Sequence, residues 1–266
     1  MSAAAHSVVI LSNERLQGAI FRLVFSSEPV SAEARAGQFL HVRVGDTNDP
    51  LLRRPLSVHY TDPRTHTVML LYQVVGSGTQ ALSHTSTGER LHCMGPLGRG
   101  FWPEPGRKKA LLIAGGIGMA PFPLLARELL AAGHQVQILA GWKTGQAVAG
   151  LEQVSALQVP VALATEDGTA GFRGTAVDLL QDTLPGQRSL LDQYAIYACG
   201  PNAMLVRVAE VARQNGIPCQ VSLEERMACA IGACHGCAVR AGQNHHEYKL
   251  VCRDGPVFGI DEVSLG

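Results

Sequence analysis

No apolar run in this 266-residue chain approaches the ~20 residues that a bilayer-crossing helix needs, so no transmembrane helix is expected. The opening MSAAAHSVVILSNERL lacks a basic stretch followed by an apolar one, and no secretory leader is expected either. Neither sign of charge dominates. Lys plus Arg and Asp plus Glu stand at 22 each, which removes any general electrostatic pull toward nucleic acid or a membrane surface. Internal repeats and low-complexity tracts are missing as well. With 46% apolar and 17% charged residues, the composition suits ordinary globular cores and argues against disorder.

What the chain does have is glycine and a late crowd of thiols. Its 29 glycines, many of them grouped, signal tight turns and close backbone approach to ligands. Of seven cysteines, Cys93, Cys199 and Cys219 stand alone, whereas Cys229, Cys234, Cys237 and Cys252 fall within the last 40 residues. An odd total with one tight cluster fits reduced thiols and a metal site better than a disulfide framework. The expected compartment is therefore the cytoplasm.

The N-terminal part reads as six short strands, Ser7–Leu11, Ile20–Ser26, Gln38–Val44, Leu56–Tyr60, Val68–Val74 and Arg90–Met94. Alternation such as Phe21-Arg22-Leu23-Val24-Phe25 predicts a small antiparallel β-barrel, with a helical turn at Thr79–Thr85. After Pro103-Glu104-Pro105-Gly106 the pattern changes. Strands at Lys109–Ala114, Gln135–Ala140, Gln158–Ala164, Gln193–Ala198 and Pro218–Leu223 alternate with helices at Met119–Ala132, Gly174–Gln181 and Asn202–Asn215. That order predicts a doubly wound parallel α/β sheet. From Glu224 onward periodicity is lost, and so short a tail needs a metal or another staple to hold it. The expected organisation is an α+β multidomain chain: a β-barrel over 1–102, an α/β nucleotide-binding domain over 103–223, and a small appendage over 224–266.

The tail spaces Cys229, Cys234 and Cys237 as C-x4-C-x2-C, with Cys252 fourteen residues further on. This is the plant-type pattern for a 2Fe–2S cluster. A backbone that curls around an inorganic core needs residues able to take positive φ, and Gly232 and Gly236 are candidates for that role. Two other readings stay open. Four thiolates also suit structural zinc, although zinc sites ordinarily pair two short C-x2-4-C knuckles and this chain has one. Unligated buried cysteines are the other, an odd use of four thiols in 24 residues. His235, His245 and His246 do not provide the two Cys/His loops of a Rieske centre and read as solvated loop histidines.

Phosphate signals lie upstream. Arg53-Arg54-Pro55-Leu56-Ser57 opens a barrel strand, where an Arg fixed by a following Pro can pair with a pyrophosphate and a Ser can bond a flavin ring. Gly76-Ser77-Gly78-Thr79 puts free backbone N–H groups at a helix start. Gly115-Gly116-Ile117-Gly118-Met119-Ala120-Pro121 joins the first strand and helix of the α/β domain, where glycines let a dinucleotide approach. Cys199-Gly200-Pro201 sits at the carboxyl end of a later strand. Each motif alone is also a plausible structural turn.

Taken together, R-P-L-S at 54–57, G-S-G-T at 76–79, GGIGMAP at 115–121 and CGPNAM at 199–204 resemble the ferredoxin–NADP reductase superfamily. The order of barrel, dinucleotide domain and C-terminal 2Fe–2S appendage is narrower. With the segment Ser222–Cys229, it resembles the electron-transfer subunits of the two-subunit, NAD-dependent dihydroorotate dehydrogenases of bacteria, over essentially the whole chain. The resemblance implies FAD contacts at Arg54, Pro55, Leu56, Ser57, Leu71, Tyr72, Gln73, Gly78 and Thr79. It implies NAD as a diffusible co-substrate near Gly115, Gly116, Gly118, Cys199, Gly200 and Pro201, and cluster ligation by Cys229, Cys234, Cys237 and Cys252.

It also implies an FMN-containing dihydroorotate dehydrogenase catalytic subunit as partner, in a heterotetramer of two of each, serving pyrimidine (UMP) biosynthesis. Dihydroorotate is then oxidised at the partner's FMN, and electrons pass through the 2Fe–2S cluster to FAD and leave as hydride to NAD. No acid–base or nucleophile constellation is visible in this chain, which fits substrate chemistry in the partner. Rival readings are the equivalent small subunit of a hydrogenase or flavin-based transhydrogenase, and a zinc-stapled binding protein. Gly141-Trp142-Lys143 lacks an acidic ribose partner, so the motifs do not separate NAD from NADP, and Glu166 and Asp167 are open between nucleotide contact and turn.

Overall fold

Period-two burial builds the first domain. The computed structural model describes residues 4–45, 49–242 and 246–265, so His245 lies outside the described residues. Strands β1 (Ala5–Gln17), β2 (Ile20–Ser26), β3 (Phe39–Arg43), β4 (Arg54–Asp62), β5 (Thr67–Gln73) and β6 (Arg90–Leu97) close into an antiparallel barrel. Their order round the barrel is β1-β2-β5-β4-β3-β6. Leu23, Phe25, Leu40, Val58, Val68 and Leu70 are fully buried within it. Each strand expected from the alternation is present. Two short helices accompany them, α1 (Glu28–Glu33), which the sequence pattern did not suggest, and α2 (Ser77–Ser83).

One irregularity in the barrel bears on the site. On β4, Val58 faces Leu70 and Tyr60 faces Met69, so His59 is the extra residue of a β-bulge. A bulge re-aims a side chain out of the regular alternation.

The second domain contains β7 (Lys109–Gly115), α3 (Phe122–Ala131), β8 (Gln135–Trp142), α4 (Glu152–Ala156), β9 (Val161–Thr165) and β10 (Phe172–Arg173). It continues with α5 (Ala176–Thr183), α6 (Arg188–Leu191), β11 (Tyr194–Cys199), α7 (Asn202–Asn215) and β12 (Cys219–Ser222). The expected helix at Met119–Ala132 starts later than its apolar pattern. Gly116–Met119 forms a 3-10 turn, and Pro121 and Pro123 lack the N–H groups that would extend α3 backward. The strands run parallel in the order β10-β9-β8-β7-β11-β12. Between β7 and β11 the order reverses, which opens a crevice at the carboxyl ends of those two strands.

The tail is stitched into this framework. Strands β13 (Ala238–Arg240) and β14 (Tyr248–Leu250) form a hairpin, and β15 (Val257–Gly259) adds an antiparallel edge to β12. Met227, Ala230, Cys237, Val251 and Cys252 share one apolar cluster with Phe39 and Leu97 of the barrel and Val221 of the sheet. Little periodicity was needed because the tail completes a core begun by its neighbours. No helix among the described residues is long and apolar enough to cross a membrane.

Candidate functional site

The three parts of the chain meet around one cavity of about 900 Å³, within the size range of cofactor sites. From the barrel it is lined by Arg54, Pro55, Leu56, Ser57, Leu71, Tyr72, Gln73, Gly78 and Thr79, all nine flavin positions expected from sequence. From the second domain come Ile117, Ala120 and Cys199, and from the approach to the thiols Leu223–Met227.

At the barrel end, the Arg54 guanidinium lies against Gly78 at the start of α2, so closely that a Cβ on Gly78 would collide with it. A cation and the first N–H groups of a helix thus face the same spot, an arrangement that suits a pyrophosphate. Thr79 contributes backbone there. Its hydroxyl is committed locally, accepting from Val75 N–H at 2.9 Å and donating to the Gly76 carbonyl at 3.1 Å. Tyr72 is likewise committed. Its ring is buried in the barrel, its hydroxyl donates to Asn13 at 3.0 Å, and burial pushes its pKa up to about 12. Polar contact from β5 is left to Gln73, which is exposed.

Across the crevice two turns pack on one another. A Cβ on Gly118 would collide with the carbonyl of Cys199, one on Gly115 would stand 2.7 Å from Met204 Sδ, and one on Gly200 would stand 3.0 Å from the Gly115 Cα. These glycines, with Pro201 beside them, serve the fit between turns. Gly116 differs. Its φ is +54° and nothing lies within 4 Å of where its Cβ would be, so it is the glycine of this turn with open space for a ligand.

Cys199 is buried, and burial followed by the charge of Glu224 pushes its thiol well above the ordinary range. It remains a neutral thiol. Glu224 is exposed by way of the cavity it lines, while protein surrounds its carboxyl closely enough for burial to raise its pKa. Phe39 and Pro256 had no motif to mark them as lining residues, while Ile117 and Ala120 sit within GGIGMAP and Leu223–Met227 within the Ser222–Cys229 segment without being singled out. For Leu223–Met227 a signal existed, since the segment leaves the carboxyl end of β12 beside the switch point.

Glu166 and Asp167 prove different. Asp167 accepts from Thr169 N–H at 3.0 Å and from its hydroxyl at 2.6 Å, and Thr169 Oγ1 accepts from Gly145 N–H at 2.7 Å. Asp167 therefore fastens the loops after β8 and β9, while Glu166 is exposed.

The four late cysteines fall into two pairs. Cys234 N–H points at Cys229 Sγ, 3.3 Å away, and Cys252 N–H at Cys237 Sγ, 3.4 Å away. Burial acts to raise the Cys229 thiol, but N–H groups from Ile231, Cys234 and Ala233, with the Cys234 thiol, outweigh it and bring the pKa down to about 6. Cys252 is pushed up by burial and by the neighbouring Cys237, and it also feels Cys229. The loop holds Ala230, Gly232 and His235 at φ of 58°, 83° and 57°. Gly232 plays the expected left-handed role. At the second position His235 takes that conformation in place of Gly236.

Among the described residues no three His, Cys, Asp or Glu side chains gather around a point suited to a single metal ion. A binuclear cluster asks only two thiolates of each iron, and the two pairs with their converging N–H groups fit it.

Residues 224–264 match the family described as the iron-sulfur cluster binding domain of dihydroorotate dehydrogenase B. Over 242 residues the chain is 40% identical to the dihydroorotate dehydrogenase B (NAD(+)) electron transfer subunit of Desulforamulus reducens, covering 90% of each. The chain belongs to the family of dihydroorotate dehydrogenase B electron transfer subunits. Among solved structures, the NADH-dependent reduced ferredoxin-NADP oxidoreductase matches with TM-score 0.83 and 28% identity, over 97% of this chain and 90% of that one. A ferredoxin NADP+ reductase from Neisseria gonorrhoeae with bound FAD and NADP shares the fold, with TM-score 0.67 and 16% identity over 80% and 92% of the two chains. Membership in the electron transfer subunit family accounts for the whole layout: a flavin-sized cavity, a nucleotide crevice opening into it, and paired thiols behind its wall.

Proposed function

We propose that this chain carries electrons from an FMN-containing dihydroorotate dehydrogenase catalytic subunit to NAD by way of a 2Fe–2S cluster and FAD, in pyrimidine biosynthesis. The observation that carries the reading is the single cavity in which the R-P-L-S strand, the glycine turn and the segment leading into the four thiols meet. When bound, FAD exchanges hydride with nicotinamide and single electrons with the cluster, which cannot take hydride.

The residues of the chain have separable tasks in this reading. Arg54 and the start of α2 hold the pyrophosphate of FAD, and Pro55–Ser57 with Leu71–Gln73 line the ring. Gly116 leaves room for the dinucleotide, and Cys199 offers the nicotinamide an uncharged thiol. Cys229 with Cys234, and Cys237 with Cys252, hold the cluster. Glu166 takes the ribose hydroxyls, an acidic group that a 2′-phosphate would be repelled by, and Asp167 supports its loop. The partner assembles with this chain as two of each, in the cytoplasm.

A flavin-based transhydrogenase is the second reading, favoured by the likeness to the ferredoxin-NADP oxidoreductase. The higher identity to the dihydroorotate dehydrogenase relatives weighs against it. Co-expression with the candidate catalytic subunit, followed by a dihydroorotate-to-NAD assay, tests the proposal. Loss of NAD reduction when this chain is omitted supports it. Activity independent of this chain, or a purified complex without flavin, iron and acid-labile sulfide, overturns it.

A further inference from the structure

His59 is fully buried and occupies the bulge of β4, two residues beyond Ser57 on the strand that carries the flavin motif. It faces out of the barrel toward the second domain. Its Nδ1 lies 2.8 Å from the carbonyl oxygen of Ala120, in the turn that follows β7, and its Nε2 lies 3.1 Å from the side-chain amide of Gln153 on α4. Gly150 closes over the ring, since a Cβ there would stand 2.7 Å from Leu71 and 3.7 Å from the imidazole. Ala120 and Leu71 both line the cavity. A polar side chain with no access to solvent thus ties the strand under the flavin to the turn that faces the nicotinamide.

The tautomer follows from the partners. Burial lowers the pKa of His59, with Glu152 and Arg22 the charged groups near it, so the ring is neutral and donates one hydrogen bond. Ala120 O can only accept, which places the proton on Nδ1. The structure sets Gln153 Oε1 toward Nε2 at 3.1 Å and its N–H₂ toward Met69 Sδ at 3.4 Å; with the proton on Nδ1 the amide is the other way round, its N–H₂ donating to the bare Nε2. The bond that matters to the cavity is therefore Nδ1–H to Ala120.

We infer that His59 is a positioning residue for hydride transfer: it fixes the distance between the flavin strand and the nicotinamide turn through its Nδ1–H. The inference rests on the electron-transfer reading above. Hydride transfer demands reacting atoms in contact and is sharply sensitive to small displacements, whereas single-electron transfer to the cluster leaves by the Leu223–Met227 lining and does not depend on this bond.

The test separates the two ring nitrogens. In Asn, the amide nitrogen takes the place of Nδ1, and in Gln it takes the place of Nε2. The FAD- and cluster-loaded complex is mixed with NADH, and flavin bleaching is followed by stopped flow in wild type and in His59→Asn, His59→Gln, His59→Leu and Gln153→Ala. The expected result is a slowing of about 100-fold in His59→Leu and His59→Gln. His59→Asn and Gln153→Ala stay within about threefold of wild type, as the retained Nδ1-type bond requires. Cluster re-reduction by dithionite is unchanged throughout. Equal rates in the Asn and Gln variants, or a rank order that follows melting temperature, overturns the inference. Should His59→Leu fail to fold, the Asn, Gln and Gln153 variants still decide it. A wild-type complex whose flavin NADH does not bleach would instead sink the electron-transfer reading itself.

Discussion

The barrel meets the rest of the molecule along two seams that differ in their polar contacts. Against the second domain, apolar packing such as that of Ile20 and Leu71 on Ala120 and Ala149 is crossed by several directional polar contacts. His59 bonds Ala120, Arg127 donates to the Thr61 carbonyl and to its hydroxyl at 3.0 Å while lying over the Tyr60 ring at 4.7 Å, and Glu128 accepts from Ala36 N–H at 3.2 Å. Against the thiol-bearing tail the middle of the seam is apolar, formed by Phe39, Leu97, Met94, Met227 and Ala230. Its hydrogen bonds gather at one end, where Arg99 pairs with Gly255, Val257 and Glu262. His41 is the exception within it, buried, its ring close to the backbone of Met227 and Arg53 but with neither nitrogen in good hydrogen-bond geometry. The difference matches what must cross each seam. A hydride needs a fixed contact, which hydrogen bonds specify, while electrons need only proximity, which non-directional packing supplies.

The contrast can be broken from the tail side with the greatest effect. Cys237→Ser removes one of the two buried thiols of the cluster site. Iron and acid-labile sulfide in the purified complex are expected to fall to near zero, with flavin retained and dihydroorotate-to-NAD turnover lost. Undiminished iron would mean the thiols are not the ligands. On the polar side, Arg127→Ala removes two hydrogen bonds from a charged donor and a cation–π contact. A loss of roughly 2–3 kcal/mol of stability is expected, read by denaturant titration; a change below about 0.5 kcal/mol would show that this seam is not held as described.

Acid sharpens the comparison because a buried histidine lies at each seam. Burial lowers the pKa of His41 and of His59. The unfolded chain therefore binds protons below its ordinary histidine pKa of about 6.5 that the folded chain refuses, and stability falls as pH drops through that value. Each such group adds up to about 1.4 kcal/mol per pH unit to the slope. His41→Leu is expected to lessen that slope by the share of one proton. At neutral pH it raises stability by about 1 kcal/mol, since it replaces a buried imidazole whose backbone contacts are poorly aligned. A destabilised His41→Leu with an unaltered slope would show that His41 has a partner of its own.

Much of this was legible in the residues. Alternation as at Phe21–Phe25 gave the barrel, and helical spacing at Asn202–Asn215 gave α7 with its ends. The flavin positions were legible because short motifs such as R-P-L-S carry their own turn chemistry, and the C-x4-C-x2-C spacing marked the thiols. What escaped depends on contacts distant in sequence. Nothing near Ala120 announces that it would meet His59, and a bulge leaves no mark on alternation that one residue can absorb. Short helices such as α1 and α4 have too few turns to show a period. The tail differs again. Its lack of pattern predicts an appendage held by a staple, and what the sequence does not show is that its apolar residues also pack into a core shared with Phe39 and Val221.

The return of the chain into β15 has a consequence for how the holoprotein matures. Cys252 lies five residues before that edge strand, and Leu223, at the other end of the loop, donates its N–H to Pro256 at 2.9 Å. The fourth thiol is therefore held in place by a clasp against the sheet, and iron loading is expected to require a folded nucleotide domain. The same strand covers the side of β12 that would otherwise stand bare, so completing the clasp also withdraws a sticky margin from pairing with other chains.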